Sequence, residues 1–168
     1  MVYYPDGAIH LARSYSDGKL DGTLLQYYPD GRLRREEHYS ENQCTGGKMF
    51  DEHGTEMEHQ PYFVFPPFPG GIENLMKLVA NVTKYPEDAW KQKAEGRVIL
   101  RFVVDEEGKM THPQILQSVR YDIDKEAIRA FEAIADVYRW SPGYQDGEAK
   151  RVKFTIPLYL SLIHISEP

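Results

Sequence analysis

Four of the six histidines, His10, His38, His53 and His59, fall in the first sixty residues among acidic neighbours. That is the raw material of a metal site, but zinc asks for short paired intervals of ligands. Spacings of 28, 15 and 6 provide none, so these histidines are expected to be solvated strand and turn residues. The adjacent carboxylates Glu36-Glu37 and Glu106-Glu107 diverge on a strand or turn instead of converging on a substrate. Cys44, the one cysteine, sits in the polar stretch "ENQCTGG" without a neighbouring histidine to activate it, and reads as a bystander thiol. No Gly-x-Ser-x-Gly, phosphate loop or His-Glu-x-x-His occurs. The expectation is a protein that is not an enzyme, with no catalytic residue, no cofactor and no metal.

The elements around these residues carry more information. The chain has 168 residues and a formal charge of −6, room for one domain or two small ones. Residues 1–60 hold 6 Lys and Arg against 11 Asp and Glu; the remainder holds 14 against 15. An acidic chain with no basic stripe argues against nucleic acid as a partner. No stretch approaches the ~20 apolar residues of a membrane span, and no signal-peptide pattern precedes Tyr3.

"YYPDG" at Tyr3–Gly7 returns at Tyr27–Gly31, with a looser copy, "MFDEHG", at Met49–Gly54. Pro presets φ and Asp-Gly tolerates positive φ, so each copy predicts a tight turn between short strands. Tyr3, Tyr4, Tyr27 and Tyr28 are expected to pack between hairpins, in preference to lining a sugar platform. Residues 1–58 are thus expected to be an all-β array of hairpin repeats. They resemble MORN-like repeats. Residues 59–70, "HQPYFVFPPFPG", are proline- and aromatic-rich and predict an extended linker lying on the second domain.

From residue 71 the period changes. Ile72, Leu75, Met76, Val79 and Val82 predict a helix over 72–83. A proline-initiated turn or short helix ends at Gly96. A hairpin follows, with strands 97–104 and 109–118 about a turn at Asp105–Gly108. Asp122 is expected to cap a helix with Ile123, Ala127, Ala130, Phe131 and Ile134 buried. "YRWSPGYQDGE" predicts a turn-rich bridge, and "KRVKFTIPLYL" a closing strand with Val152, Phe154, Ile156 and Leu158 inward. The fold class expected for 71–160 is α+β, two helices on a three-stranded antiparallel sheet. Pro157 lacks the N–H that a central strand must donate, so the closing strand should lie at an edge. The tail at 161–168, "SLIHISEP", matches nothing else in the pattern and is expected to be foreign.

Tyr85-Pro86, Ala89, Gly96, Val98, Phe102-Val103-Val104, Gly108, Asp124, Ala127, Trp140-Ser141-Pro142-Gly143, Gly147, Phe154 and Pro157 come in an order that resembles the C-terminal domain of TonB energy transducers. The resemblance spans residues 68–160. It implies a periplasmic location in a Gram-negative envelope, and capture of an extended segment, the TonB box, of an outer-membrane transporter. The box adds as a strand beside the last strand, where Lys150, Arg151, Val152, Lys153, Phe154, Thr155 and Ile156 form the expected contact; Lys150, Arg151 and Lys153 would favour an acidic box. A transducer also has an N-terminal membrane helix and a long spacer, and here acidic repeats stand in that place. The inner-membrane proton-motive complex is therefore expected as a partner only if the chain is part of a longer transducer. The alternative is a scaffold whose repeats are the working surface and whose last strand pairs edge to edge in a homodimer.

Overall fold

The computed structural model describes residues 1–161; beyond Ser161, the expected foreign tail lies outside the described residues. The chain divides into two compact units, Met1–Phe65 with Tyr144–Glu148, and Pro66–Gly143 with the residues from Ala149 onward.

In the first unit, β1 (Val2–Tyr3), β2 (Ile9–Ser16), β3 (Lys19–Tyr27), β4 (Leu33–Ser40), β5 (Gln43–Phe50) and β6 (Glu56–Met57) form one antiparallel sheet in chain order. The repeated sequence makes a repeated turn. Gly7, Gly31 and Gly54 each donate their N–H to the carbonyl three residues earlier, of Tyr4, Tyr28 and Asp51, at 2.9–3.0 Å. Their φ values of 88°, 86° and 82° are cheap for glycine and strained for other residues. Successive turns are tied together: the Tyr4 hydroxyl donates to the Tyr27 carbonyl at 2.7 Å and the Tyr28 hydroxyl to that of Phe50 at 2.9 Å. Leu11, Leu20, Leu24, Tyr39 and Tyr62 make the core of this unit.

The expected linker at 59–70 does not run as one tether on the second domain. Tyr62 joins the first core with Phe63 against it, and β7 (Phe63–Val64) pairs with another strand. Phe68, by contrast, is buried in the core of the second unit. Four aromatic residues within seven positions carry too much apolar surface to be left in water, so the segment is divided between two cores.

The second unit begins with α1 (Gly71–Val82) and the short α2 (Glu87–Lys91). The strands β8 (Gly96–Val104) and β9 (Met110–Gln117) follow, then α3 (Tyr121–Val137). The cap of α3 is Arg120 and not Asp122, which lies in the first turn. Asp124 reaches back instead, accepting from the Val119 N–H at 3.0 Å. The bridge expected after α3 contains a hairpin, β10 (Gly143–Gln145) and β11 (Glu148–Lys150), turned at Asp146-Gly147, with φ of 50° and 82°. Tyr144 and Gln145 pair with Val64 and Phe63 within the first unit. Finally β12 (Val152–Leu160) completes an antiparallel sheet of order β12-β8-β9.

Phe102, fully buried on β8, gathers Phe131, Trp140 and Phe154 at ring separations of 5.1, 5.8 and 5.8 Å. Such aromatic pairs contribute about 0.5–1.5 kcal/mol each beyond their area. Gly108, at φ 80°, passes so close to Trp140 that an added Cβ would lie 1.8 Å from its carbonyl oxygen. The close approach lets the Trp140 N–H donate to the Gly108 carbonyl at 2.8 Å, which locks the β8–β9 turn to the segment after α3.

Candidate functional site

A three-stranded sheet has two edges, and their residues make them unequal. On β9, the pairing with β8 breaks register twice, between Ile99 and Leu100 and between Arg101 and Val103. His112 sits at φ 53°, and Pro113 follows it without a donor. Bulges, kinks and proline blunt an edge against further pairing. On β12 the ladder runs unbroken from Val152 opposite Val104 to Leu160 opposite Gly96. β12 is the straight edge of this sheet.

Pro157 fixes which backbone groups β12 presents. It stands opposite Ile99 inside that unbroken ladder. Having no N–H, it fits a regular ladder only where its nitrogen faces away from β8. Backbone polarity alternates along a strand. The N–H and C=O of Lys153, Thr155 and Tyr159 therefore face the same way as Pro157, away from β8, while those of even-numbered residues face β8. Among the described residues, the outer side of β12 thus offers both groups at Lys153 and Thr155, the carbonyl alone at Pro157, and both again at Tyr159.

Side chains divide by the same parity. Ile156, Leu158 and Leu160 are buried and Phe154 packs on Trp140 at 4.6 Å, whereas Lys153, Thr155 and Tyr159 are exposed. Of the seven residues expected to contact a partner strand, Val152, Lys153, Phe154, Thr155 and Ile156 lie on β12. Lys150 ends β11, and Arg151 falls between the two strands. Arg151 is also engaged, its Nε 3.2 Å from Glu106 Oε2. Lys150 and Arg151, the first two of the expected contact residues, thus lie before β12.

In the first unit the structure assembles a polar cluster that sequence reading did not anticipate. Arg35 and Glu37, both buried, pair at 2.8 Å. Arg35 also reaches Asp146 at 3.0 Å and Gln26 at 3.1 Å. Glu37 accepts from the Tyr39 hydroxyl at 2.8 Å and from the Tyr62 N–H, with His59 Nε2 at 2.9 Å. His59 is thus a half-buried partner of a carboxylate, not the solvated residue expected. Burial and the neighbouring carboxylate drive the Tyr39 hydroxyl well above the ordinary tyrosine range. Burial likewise raises the Cys44 thiol, the reverse of nucleophile activation. Glu37, Cys44 and His59 place their ligand atoms within 4.8 Å of one another. Glu37 already accepts from four donors, one a guanidinium that opposes a cation.

Residues 81–162 match the family model of the Gram-negative bacterial TonB protein C-terminal, a little under half of the chain. Domains of that family are non-enzymatic protein-interaction modules of TonB-dependent transport in the Gram-negative envelope. Among solved structures, the NMR solution structure of Helicobacter pylori TonB-CTD, residues 194–285, is 22% identical. It covers 54% of this chain and 92% of that chain, with a TM-score of 0.45. No curated protein matches the sequence. No helix among the described residues is long and apolar enough to cross a membrane.

Proposed function

We propose that the second unit is a peptide-capture module of the TonB type. In this reading β12 takes up an extended segment of an outer-membrane transporter, the TonB box, as an added strand. The observation that carries it is the straight, unbroken β12 at the sheet's edge, beside a β9 edge that is bulged and proline-bearing. Lys153 and Thr155 provide two hydrogen bonds each and the Pro157 carbonyl a fifth. At a net ~0.5–1.5 kcal/mol each, five bonds give a grip that is usable yet reversible. Main-chain pairing accepts many sequences, so selectivity falls to the side chains flanking the edge.

A homodimer through the same edge competes for the same groups, and one variant separates both uses from a structural role. Thr155→Pro removes an N–H that faces away from β8, as the nitrogen of Pro157 does, so the sheet survives. Peptide capture, followed by amide shifts along β12 in the full chain, should then fall about two- to tenfold. If the variant binds a TonB-box peptide as the parent does, strand addition at β12 is wrong. If the parent sediments as a tight dimer that Thr155→Pro dissolves, edge pairing between copies is the better account.

A further inference from the structure

The solvent face of the second unit's sheet has a charge pattern that strand addition alone does not need. β8, β9 and β12 contain no Asp or Glu, in a chain with 26 acidic residues and a net charge of −6. Their charged side chains are Arg97, Arg101 and Lys153. Arg97 and Lys153 are exposed and Arg101 half-exposed. Alternation puts all three on the face away from the helices, with the exposed residues of β12. Thr155 stands opposite Arg101, Lys153 opposite Val103 and Tyr159 opposite Arg97.

None of the three cations forms an ion pair among the described residues. Arg101 Nη2 donates to Gln114 Oε1 at 2.8 Å, which holds the guanidinium over the sheet. A shallow polar cleft there is lined by Arg101, His112, Gln114, Arg151 and Lys153. Nearby carboxylates sit at the ends of the sheet, and Glu106 is taken by Arg151.

We infer that this face reads acidic side chains at alternate positions of the strand that β12 takes up, with Arg101 and Lys153 as the specificity-determining residues. The inference rests on strand capture at β12. Residues directly opposite one another in a sheet place their side chains on the same face, whichever way the incoming strand runs. The partner residues opposite Lys153 and Thr155 therefore project over the basic face. An acid opposite Lys153 meets its ammonium directly. An acid opposite Thr155 lies diagonal to Lys153, and Arg101, opposite Thr155 on β8, is the next cation on that face. Two acids at i and i+2 match this arrangement, and adjacent acids do not, because the second would point to the helix side. Pro157 holds the register, since a strand slid toward Tyr159 meets the position that cannot donate. The occupant is thus an acidic extended peptide and not a general polyanion.

The test uses the full chain and four synthetic nine-residue peptides with the same apolar residues. One carries Glu at two alternate positions, one Gln and one Lys there. The fourth keeps both Glu side chains on N-methylated residues, with proline at the positions between and beside them, so that it has no N–H to give β12 whichever way it runs. Cross-strand charge pairs imply about two- to fivefold in affinity per acidic residue. The expected order is Glu tightest, then Gln, then Lys, with the proline peptide not bound. The difference should shrink at high salt. Arg101→Glu together with Lys153→Glu, both away from the core, should invert the order. Equal binding of the Glu, Gln and Lys peptides, all shifting β12 amides, keeps capture and overturns the charge reading. Binding of the proline peptide as tight as that of the Glu peptide overturns it too, as charge attraction without a strand. If no peptide shifts β12, capture itself fails and the inference with it.

Discussion

The Arg35 guanidinium and the Asp146 carboxylate, 111 positions apart in the chain, meet at 3.0 Å inside the first unit. Asp146 occupies the turn between β10 and β11, and its other oxygen lies within 3.2 Å of Arg34 and Gln26. The acidic residue that a hairpin turn favours for its backbone also neutralises a buried cation.

Removing one partner of such a pair leaves an uncompensated buried charge, at a cost of about 3–5 kcal/mol. Arg35→Ala should therefore unfold the first unit early, because it strands Glu37. Asp146→Asn keeps the turn geometry and should cost less, about 1–2 kcal/mol. Both tryptophans, Trp90 and Trp140, lie in the second unit. Denaturation followed by far-ultraviolet dichroism should show an early transition that tryptophan emission does not share. A common shift in both signals would mean that the network does not act locally.

Gly108→Ala should affect the other signal. The added methyl would have to displace the Trp140 carbonyl, on a residue already at positive φ. A cost of at least ~2 kcal/mol is expected, read as an early shift in tryptophan emission. Unchanged emission at the parent's midpoint would count against the lock between Gly108 and Trp140.

Alkaline pH should loosen the first unit. Tyr39 ionises with more difficulty in the fold than its ordinary value of 10.0. A raised folded pKa contributes stability that is whole below about pH 10 and is lost as pH rises through and above it. The dichroism midpoint should fall above that pH, and the fall should be smaller in Tyr39→Phe, which has no hydroxyl to titrate. An identical alkaline slope in the variant would assign the effect elsewhere.

Pro157→Val restores an N–H to the outer side of β12. It should keep the fold and strengthen peptide capture by one hydrogen bond, about two- to tenfold. Calorimetric titration of parent and variant with one peptide checks this. Equal affinities would mean that the partner strand does not extend to Pro157.

Much of this architecture was legible because local chemistry and tertiary demand agree. The Pro-Asp-Gly turns, the alternating "VKFTIPL" and the stripe Ile123, Ala127, Ala130, Phe131 carry their periods openly. Pro157 announced an edge through one missing donor. The β10–β11 hairpin was missed although "QDG" carries the same Asp-Gly signal as the repeats; its strands are only three residues long and show no period. The Arg35–Glu37 cluster was hidden for a different reason. In "LRREEHYS" charged residues fill both faces of β4, and only the fold shows that Arg35 and Glu37 point inward. Long-range pairing such as Arg35 with Asp146 leaves no local trace.

The proline at position 157 also guards the molecule. A straight border with an uninterrupted row of donors is a template on which copies can stack into fibres, each new chain exposing the next border. Interrupting that row near its middle makes β12 a poor seat for a full-length sibling, so one missing donor limits how far such stacking could run.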